Sequence, residues 1–137
     1  MTEAELAYIA GIVDGEGAIC VRFRSGLNLV GSGRYLHFRV DIAQKDRRLI
    51  DWLEERIGGN ISLRPTAGVY HLNLGKRASV DLLQRIRPYL VVKGEQADAF
   101  LELAARDYVH GRRISEIELV QREQLVDALS AMKGRSG

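Results

Sequence analysis

The stretch Ile9-Ala-Gly-Ile-Val-Asp-Gly-Glu-Gly17 marks a change of hydrophobic period along the chain. A Thr-x-x-Glu capping box at Thr2 opens a helical run that enters this stretch, with apolar residues recurring at helical spacing as far as Val13. After it, residues 18–25 alternate between apolar and polar. The sequence therefore predicts a helix that ends at the glycines on either side of Glu16 and leads directly into a half-buried strand.

Further strands are predicted from the same alternation. A long alternating run follows a glycine turn at residues 31–33, and two shorter runs flank a second turn at residues 65–68. The predicted strands after the first are Arg34 to Gln44, Asn60 to Arg64 and Val69 to Leu74. Together the four strands form two consecutive hairpins.

Further helices are predicted from helical spacing, capping residues and glycine or proline stops. They are Asp46 to Ile57, Ser79 to Arg87, Glu95 to Tyr108 and Ser115 to about Met132. The element order predicts one α+β domain over residues 1–137, with an αββαββα core, extra C-terminal helices and a frayed tail at residues 132–137. Helices should cover one face of a four-stranded antiparallel sheet and leave the other face polar.

The composition, 46% hydrophobic and 28% charged, is typical of a soluble globular domain. No apolar run approaches the roughly 20 residues of a membrane-spanning helix, and the N-terminus lacks a basic signal-peptide head. The single cysteine, Cys20, excludes an internal disulfide and a cysteine-based zinc cluster. We therefore expect an intracellular protein without a membrane partner.

Positive charge is concentrated in the middle of the chain. Residues 1–17 contain four acidic residues and no Lys or Arg, whereas residues 18–77 contain eleven basic and five acidic residues. The net charge of +2 is too small to indicate a nucleic-acid partner by itself. On charge alone, an Arg-rich solvated surface and a nucleic-acid interface both remain open.

Small residues form a stripe on the first predicted helix, at Ala7, Ala10, Gly11 and Asp14. Such a stripe lets two helices pack nearly backbone to backbone. If the second helix belongs to another copy, a two-fold axis brings two Glu16 carboxylates together, and their repulsion calls for divalent cations between them. The sequence thus predicts a homodimer. The alternative is that the stripe packs inside one chain and Glu16 only caps a surface turn.

Residues 9–17 resemble, position by position, the LAGLIDADG signature of homing endonucleases and related intron proteins. Every substitution is conservative: Ile9 and Ile12 stand for leucines, Val13 for isoleucine, Gly15 for alanine and Glu16 for aspartate. The context also resembles the family, because the predicted helix ends at the acidic residue and runs into a long basic strand. Over the whole chain the resemblance covers about residues 5–109.

The resemblance implies a metal-dependent active site. The Glu16 carboxylate and the Gly15 carbonyl would bind a divalent cation, and oxygen ligands beside a phosphodiester favour Mg²⁺. Residues 38–48 and 88–97 are similar to the family segments that supply further groups to the site. They imply Gln44 near the metal and its water, and Lys93 at the scissile phosphate. Arg48, or Arg47 in another register, would complete the basic pocket.

The polar face of the predicted sheet would lie in the major groove of DNA, extended into a saddle by the second copy. The target would be long and roughly palindromic. Arginine supplies the fork that recognises guanine edges. The candidate DNA-binding residues are Arg22, Arg24, Arg34, Tyr35, His37, Arg39, Asp41, Ser62, Arg64, Val69 and His71.

These features predict a site-specific, Mg²⁺-dependent homing endonuclease that cuts both strands of double-stranded DNA and leaves staggered ends. It would be encoded by an intron, an intein or a free-standing mobile element. One rival is a non-catalytic binder of the same fold, either an RNA maturase or a DNA-binding regulator. The retained carboxylate of Glu16 favours cleavage over that rival. A second rival is a small interaction domain with a chance motif, which would be monomeric and indifferent to DNA.

Overall fold

The computed structural model describes residues 1–25, 34–107 and 115–136, and within them every side chain except those of residues 25, 34 and 134–136. In chain order the elements are α1 (Glu3–Glu16), β1 (Gly17–Ser25), β2 (Arg34–Gln44), α2 (Arg47–Ile57), β3 (Asn60–Arg64), β4 (Val69–Leu74), α3 (Lys76–Ile86), a 3₁₀ turn (Arg87–Tyr89), α4 (Gly94–Asp107) and α5 (Glu116–Ser136). The predicted α+β order is confirmed. The glycine turn at residues 31–33 and the end of the fourth helix at Tyr108 lie outside the described residues.

The four strands form one antiparallel sheet with the order β1-β2-β4-β3. In the first hairpin Gly17 pairs with Ile42, and in the second Ser62 pairs with His71. The hairpins join where Ile42 pairs with Leu72. This register places the end of α1, the start of β1 and the end of β2 beside one another.

The hydrophobic core lies between the helices and one face of the sheet. Its sheet side is built by alternate strand residues such as Ile19, Val40 and Leu72, and its helix side includes Leu83 and Phe100. Buried Ser79 links these layers, since its Oγ accepts from the Val40 N–H at 3.1 Å and donates to the Leu74 carbonyl at 3.0 Å. The core therefore fixes which residues each strand presents on the opposite face.

Local capping explains most element ends. The Thr2 hydroxyl accepts from the Glu5 N–H at 3.1 Å, and the Glu5 carboxylate accepts from the Thr2 N–H at 3.0 Å, which completes the predicted capping box. Asp46 caps α2 through the Arg48 N–H at 2.9 Å. Gly58 ends α2 at φ 75, a conformation that suits glycine.

α1 ends at Glu16, the acidic residue at which the motif placed the helix end, three residues beyond the last apolar position, Val13. Gly17 closes the last turn with a hydrogen bond to the Val13 carbonyl, and tertiary contacts hold that turn. The predicted start of α3 and the predicted end of α5 are wrong. α3 begins at Lys76, three residues before Ser79. α5 continues beyond Met132 to Ser136, so residues expected to fray are helical. Packing of α5 against α4 and β1 supplies the support that local sequence does not show. Within the described residues, every helix is too short or too polar to cross a membrane.

Candidate functional site

The side chain of Asp14 ties the last turn of α1 to the segment before α4. Its carboxylate accepts hydrogen bonds from the backbone N–H groups of Val91 at 2.8 Å, Val92 at 3.2 Å and Lys93 at 2.9 Å. Hydrogen bonds to an ionised acceptor are stronger than neutral ones. Asp14 was predicted to lie in the dimer stripe, but its carboxylate is engaged within its own chain.

Lys93 is held at the junction of α1 and β1. Its ammonium donates to the Val13 carbonyl at 3.1 Å and to the Gly17 carbonyl at 2.5 Å. Burial lowers the pKa of Lys93 below its usual value, and the nearby charge of Lys133 lowers it further, while Asp14 and Glu16 act in the opposite direction. The structure therefore brings Lys93 close to Glu16.

Glu16 is the last residue of α1, and its side chain is exposed. The carbonyl of the preceding Gly15 is among the last four of the helix, which lack partners inside it. A carboxylate and a carbonyl oxygen suit Mg²⁺, which keeps several waters and takes substrate phosphates as further ligands. No group of three acidic, histidine or cysteine side chains in the described part of the chain could enclose a metal ion. Side chains of the described residues alone would therefore not enclose a metal at Glu16.

Gln44 ends β2, two residues after Ile42, which pairs with Gly17. Gln44 therefore lies at the same end of the sheet as Glu16. Its side-chain oxygen accepts from the Lys45 N–H at 2.9 Å. Arg48 is 92% exposed, and its guanidinium pairs with Asp46 at 2.6 Å. This pairing lowers the pKa of Asp46 to about 2.

Gln44 and Arg48 line one open groove of about 640 Å³, together with Tyr8, Asp46, Leu49 and Trp52. The structure thus brings Gln44 and Arg48 together. Among the described residues, no hydrogen bond or ion pair joins either of them to Glu16 or Lys93. Arg47, the alternative basic residue, pairs with Asp51 at 3.2 Å and lies over the Tyr70 ring.

The small-residue stripe on α1 is divided between the core and the surface. Ala7 and Gly11 are exposed, and a Cβ added to Gly11 or Gly15 would meet nothing within 4 Å. Ala10 is 0% exposed, so its predicted place in a dimer contact is wrong. The reason is helical phase: Ala10 adjoins Ile9 and lies one turn from Val13, which are both in the core. Tyr8, 56% exposed, extends the free face of α1.

The outer face of the sheet carries the predicted polar residues in cross-strand pairs. Arg24 pairs with Tyr35, Arg22 with His37, Ser62 with His71 and Arg64 with Val69. Both Arg22 and Arg24 are exposed, as are Ser62 and Arg64, whereas Tyr35, His37, Arg39, Asp41, Val69 and His71 are half-buried. The backbone of Arg34 pairs with Ser25, and its side chain lies outside the described part.

Asp41 and His71 form a pair near the centre of this face, with 2.9 Å between Asp41 Oδ2 and His71 Nδ1. The other Asp41 oxygen, Oδ1, and the nearby Arg39 Nε are buried and have no hydrogen-bond partner among the described residues. Burial and then the charges of Arg24 and Arg39 lower the pKa of His37, which favours the neutral imidazole. The face therefore combines charged, neutral and unsatisfied polar groups.

Two residues were missed by the sequence interpretation. Asn73 lies on the outer face of β4 opposite Asp41, a place that strand alternation from His71 could have shown. Lys133 lies near the Lys93 ammonium and donates to the Cys20 sulfur at 3.0 Å. Local sequence carries no signal for this contact, because Cys20 lies 113 positions before Lys133.

No protein-family model and no curated protein matches the chain. Solved structures do match. The homing endonuclease I-CvuI, in complex with the I-CreI target in the presence of Mg, superposes with a TM-score of 0.81 and 19% identity over 95% of this chain and 82% of that one. The archaeal intron-encoded homing endonuclease I-Vdi141I, complexed with DNA, gives 0.80 and 22% over 95% of this chain and 84% of that one.

Two further structures show the same similarity at other chain lengths. The homing endonuclease I-TnaI gives a TM-score of 0.69 and 16% identity over 96% of this chain and 97% of that one. I-LtrWI, a LAGLIDADG homing endonuclease bound to target DNA, gives 0.73 and 18%, with 90% of this chain matched to 43% of that one.

Proposed function

We propose that this chain, which has the LAGLIDADG homing endonuclease fold, is a site-specific, Mg²⁺-dependent DNA endonuclease that acts as a homodimer. It would hydrolyse both strands of a long pseudo-palindromic site inside the cell and leave staggered ends. The observation that carries the proposal is the arrangement at the end of α1, where exposed Glu16 lies beside a Lys93 that Asp14 and two carbonyls hold in place.

Each candidate residue near the end of α1 has a proposed role. Glu16 and the Gly15 carbonyl would bind Mg²⁺, which when bound lowers the pKa of an attacking water and stabilises charge on the phosphate. Lys93 would contact the scissile phosphate, and its partial burial strengthens that electrostatic contact. Gln44 would orient water through its amide, and Arg48 would contact the phosphate on the groove side.

The free face of α1 supports the homodimer. Gly11 and Gly15 leave open space where a second backbone can approach, and Ala7 adds no bulky side chain. Gln44 and Arg48 line the groove next to Tyr8 on this face. A two-fold contact here would place one Glu16 from each chain near the axis, giving one metal-binding carboxylate for each DNA strand.

The outer face of the sheet would bind the DNA. Exposed arginines on β1 and β3 suit guanine edges and phosphates, while the Asp41–His71 pair and Arg39 lie between them. Two buried atoms without partners among the described residues, Arg39 Nε and Asp41 Oδ1, are costly in the free protein, and an outward shift of these side chains toward DNA would pair them. This supports nucleic-acid binding by the face as a whole.

A selection from randomised double-stranded DNA with Mg²⁺ tests the proposal, run in parallel with Glu16→Gln. We expect the parent to cut a long pseudo-palindromic site that Glu16→Gln binds without cutting. Mass measurement in solution should give two chains per particle. A site that is bound but not cut by the parent would favour the regulator or maturase alternative. Absence of any enriched site would overturn DNA recognition itself.

A further inference from the structure

The last helix reaches the outer face of the sheet at the edge strand. α5 packs against α4 and β1, and its Leu129 is buried in the core on the helical side. One turn later, Lys133 donates to the sulfur of Cys20, which alternation places on the outer face with Arg22. α5 therefore passes around the β1 edge, and Cys20 is only 7% exposed beneath it.

The partner of Lys133 does not neutralise its charge. A thiol sulfur is a weak and uncharged acceptor, and no carboxylate of the described residues is paired with Lys133. The same ammonium is close enough to Lys93 to lower the pKa of that lysine. The Asp14 and Glu16 carboxylates lie near Lys93 and offset this repulsion there. The Lys133 ammonium, held on an uncharged sulfur, therefore has a charge available for an external anion.

The position of Lys133 beside Cys20 of β1 indicates which anion it would bind. Cys20 lies three residues after Gly17, the residue whose carbonyl accepts from Lys93. At about 3.3 Å per strand residue this is roughly 10 Å. That distance spans about three nucleotide steps of B-DNA, which rises roughly 3.4 Å per step along each strand. Lys133, beside Cys20, is thus placed to reach a phosphate near the one at Lys93 on the same strand.

We propose that Lys133 binds a DNA backbone phosphate that flanks the scissile phosphate, on the same strand, within three nucleotides of the cut. The inference rests on the proposed endonuclease function and adds α5 as an element that positions the cleaved strand. Lys93 and Lys133 of one protein chain would bind two phosphates of the same DNA strand. Lys93 would contact the phosphate that is cut, next to Glu16. Cys20 holds the Lys133 ammonium in position without competing for its charge.

A purely structural role is the alternative for Lys133. A cation near the end of a helix is favoured by the helix dipole, and the lysine stem covers apolar surface at Cys20. Both effects act in the free protein. A structural role therefore predicts that substitution of Lys133 changes thermal stability. DNA binding would then change only as much as the fraction of folded protein changes.

The salt dependence of DNA binding distinguishes these roles. Binding of duplex DNA is titrated against salt in a Glu16→Gln background, so that cleavage is not needed, with Lys133→Met and the control Arg85→Met. Arg85 lies on α3 in the helical layer and also loses one charge. We expect Lys133→Met to reduce the slope of log affinity against log salt by about 0.9 for each chain. Arg85→Met should leave the slope unchanged.

Uncharged phosphate analogues, introduced one at a time in the DNA, then identify which phosphate Lys133 contacts. Methylphosphonates are placed one at a time within three nucleotides of the cut in the selected site. One position should weaken binding by the parent and have no further effect on Lys133→Met, whereas Lys133→Arg should behave as the parent. An unchanged salt slope, or equal sensitivity of both proteins at every position, would overturn the inference alone. Absence of duplex binding by the parent would overturn the proposed function as well.

Discussion

The Asp14 carboxylate accepts a 2.9 Å hydrogen bond from the backbone N–H of Lys93, a residue 79 positions further along the chain. The Lys93 ammonium returns to the same helix end through the Val13 and Gly17 carbonyls. A loop lysine is thereby fixed at both its backbone and its side chain. We call these hydrogen bonds of Asp14 and Lys93 the clamp. Since a small displacement of a positioned group can slow catalysis strongly, the proposed function predicts that loss of the clamp affects cleavage as well as stability.

Asp14→Asn should uncouple the 91–93 segment from α1. The amide has one acceptor oxygen in place of a carboxylate, and its NH₂ group would face backbone N–H donors. We expect a loss of about 2 kcal/mol in the free energy of unfolding, in line with hydrogen bonds to charged groups. Cleavage should slow by more than that loss of folded protein explains. Urea denaturation and single-turnover cleavage under folding conditions measure the two effects.

Asp127→Asn is the matched control, because Asp127 is exposed on α5. It should change neither stability nor cleavage. If Asp14→Asn lowered stability yet cleaved at the parental rate, the clamp would support only the fold.

Gly11→Leu tests the free face of α1. A Cβ at Gly11 meets nothing within 4 Å in the single chain, so leucine should leave the chain folded, with the modest gain of replacing a helical glycine. In a close helix pair the same side chain would force the two backbones apart. We expect the particle mass to fall from two chains to one and double-strand cleavage to be lost. Gln84→Leu, at an exposed position of α3, should remain dimeric.

Hydrophobic alternation along the sequence predicted the strands, because strand ends depend mainly on neighbouring residues. The alternation in β2 gave both its ends, Arg34 and Gln44, because each second residue must enter the core. The last turn of α1 is held by hydrogen bonds that form only in the folded chain, since Lys93 donates its backbone N–H to Asp14 and its ammonium to the Val13 carbonyl. Apolar spacing alone ends the helix at Val13, whereas the glycines on either side of Glu16 mark the end that the structure shows.

The candidate site shows the same division. Glu16 and Gln44 follow from motif and strand register, since both lie at ends of elements that sequence delimits. Size alone did not separate buried Ala10 from exposed Gly11, because both suit a close helix contact and only the phase of the core distinguishes them. Lys133 could not be predicted, because its place depends on how α5 packs around the β1 edge.

Ser79→Ala should destabilise the sheet that carries Gln44. Ser79 is 0% exposed, and its hydroxyl bonds both the Val40 N–H and the Leu74 carbonyl. Alanine leaves a buried donor and a buried acceptor unpaired, at a cost of about 2 kcal/mol. Urea denaturation should show a lower midpoint with an unchanged slope. Exposed Ser62→Ala on β3 is the control and should change the midpoint little.

Glu5 gives the fold a defined acid response. Its hydrogen bond to Arg56, 2.6 Å from Glu5 Oε2 to Arg56 Nε, and its capping bond to Thr2 lower the pKa of Glu5 from 4.5 to about 2. Because the folded pKa is the lower one, this group contributes stability that is fully present above pH 4.5 and is lost as the pH falls toward 2. Glu5→Gln should therefore lower the melting temperature at pH 7, and the difference from the parent should shrink steadily below pH 4.5. Glu55→Gln is the control, since Glu55 is 80% exposed and contacts Arg56 only at 3.6 Å. A parent-to-Glu5→Gln difference that stayed constant from pH 7 to pH 2 would show that the carboxylate contributes through its shape and not its charge.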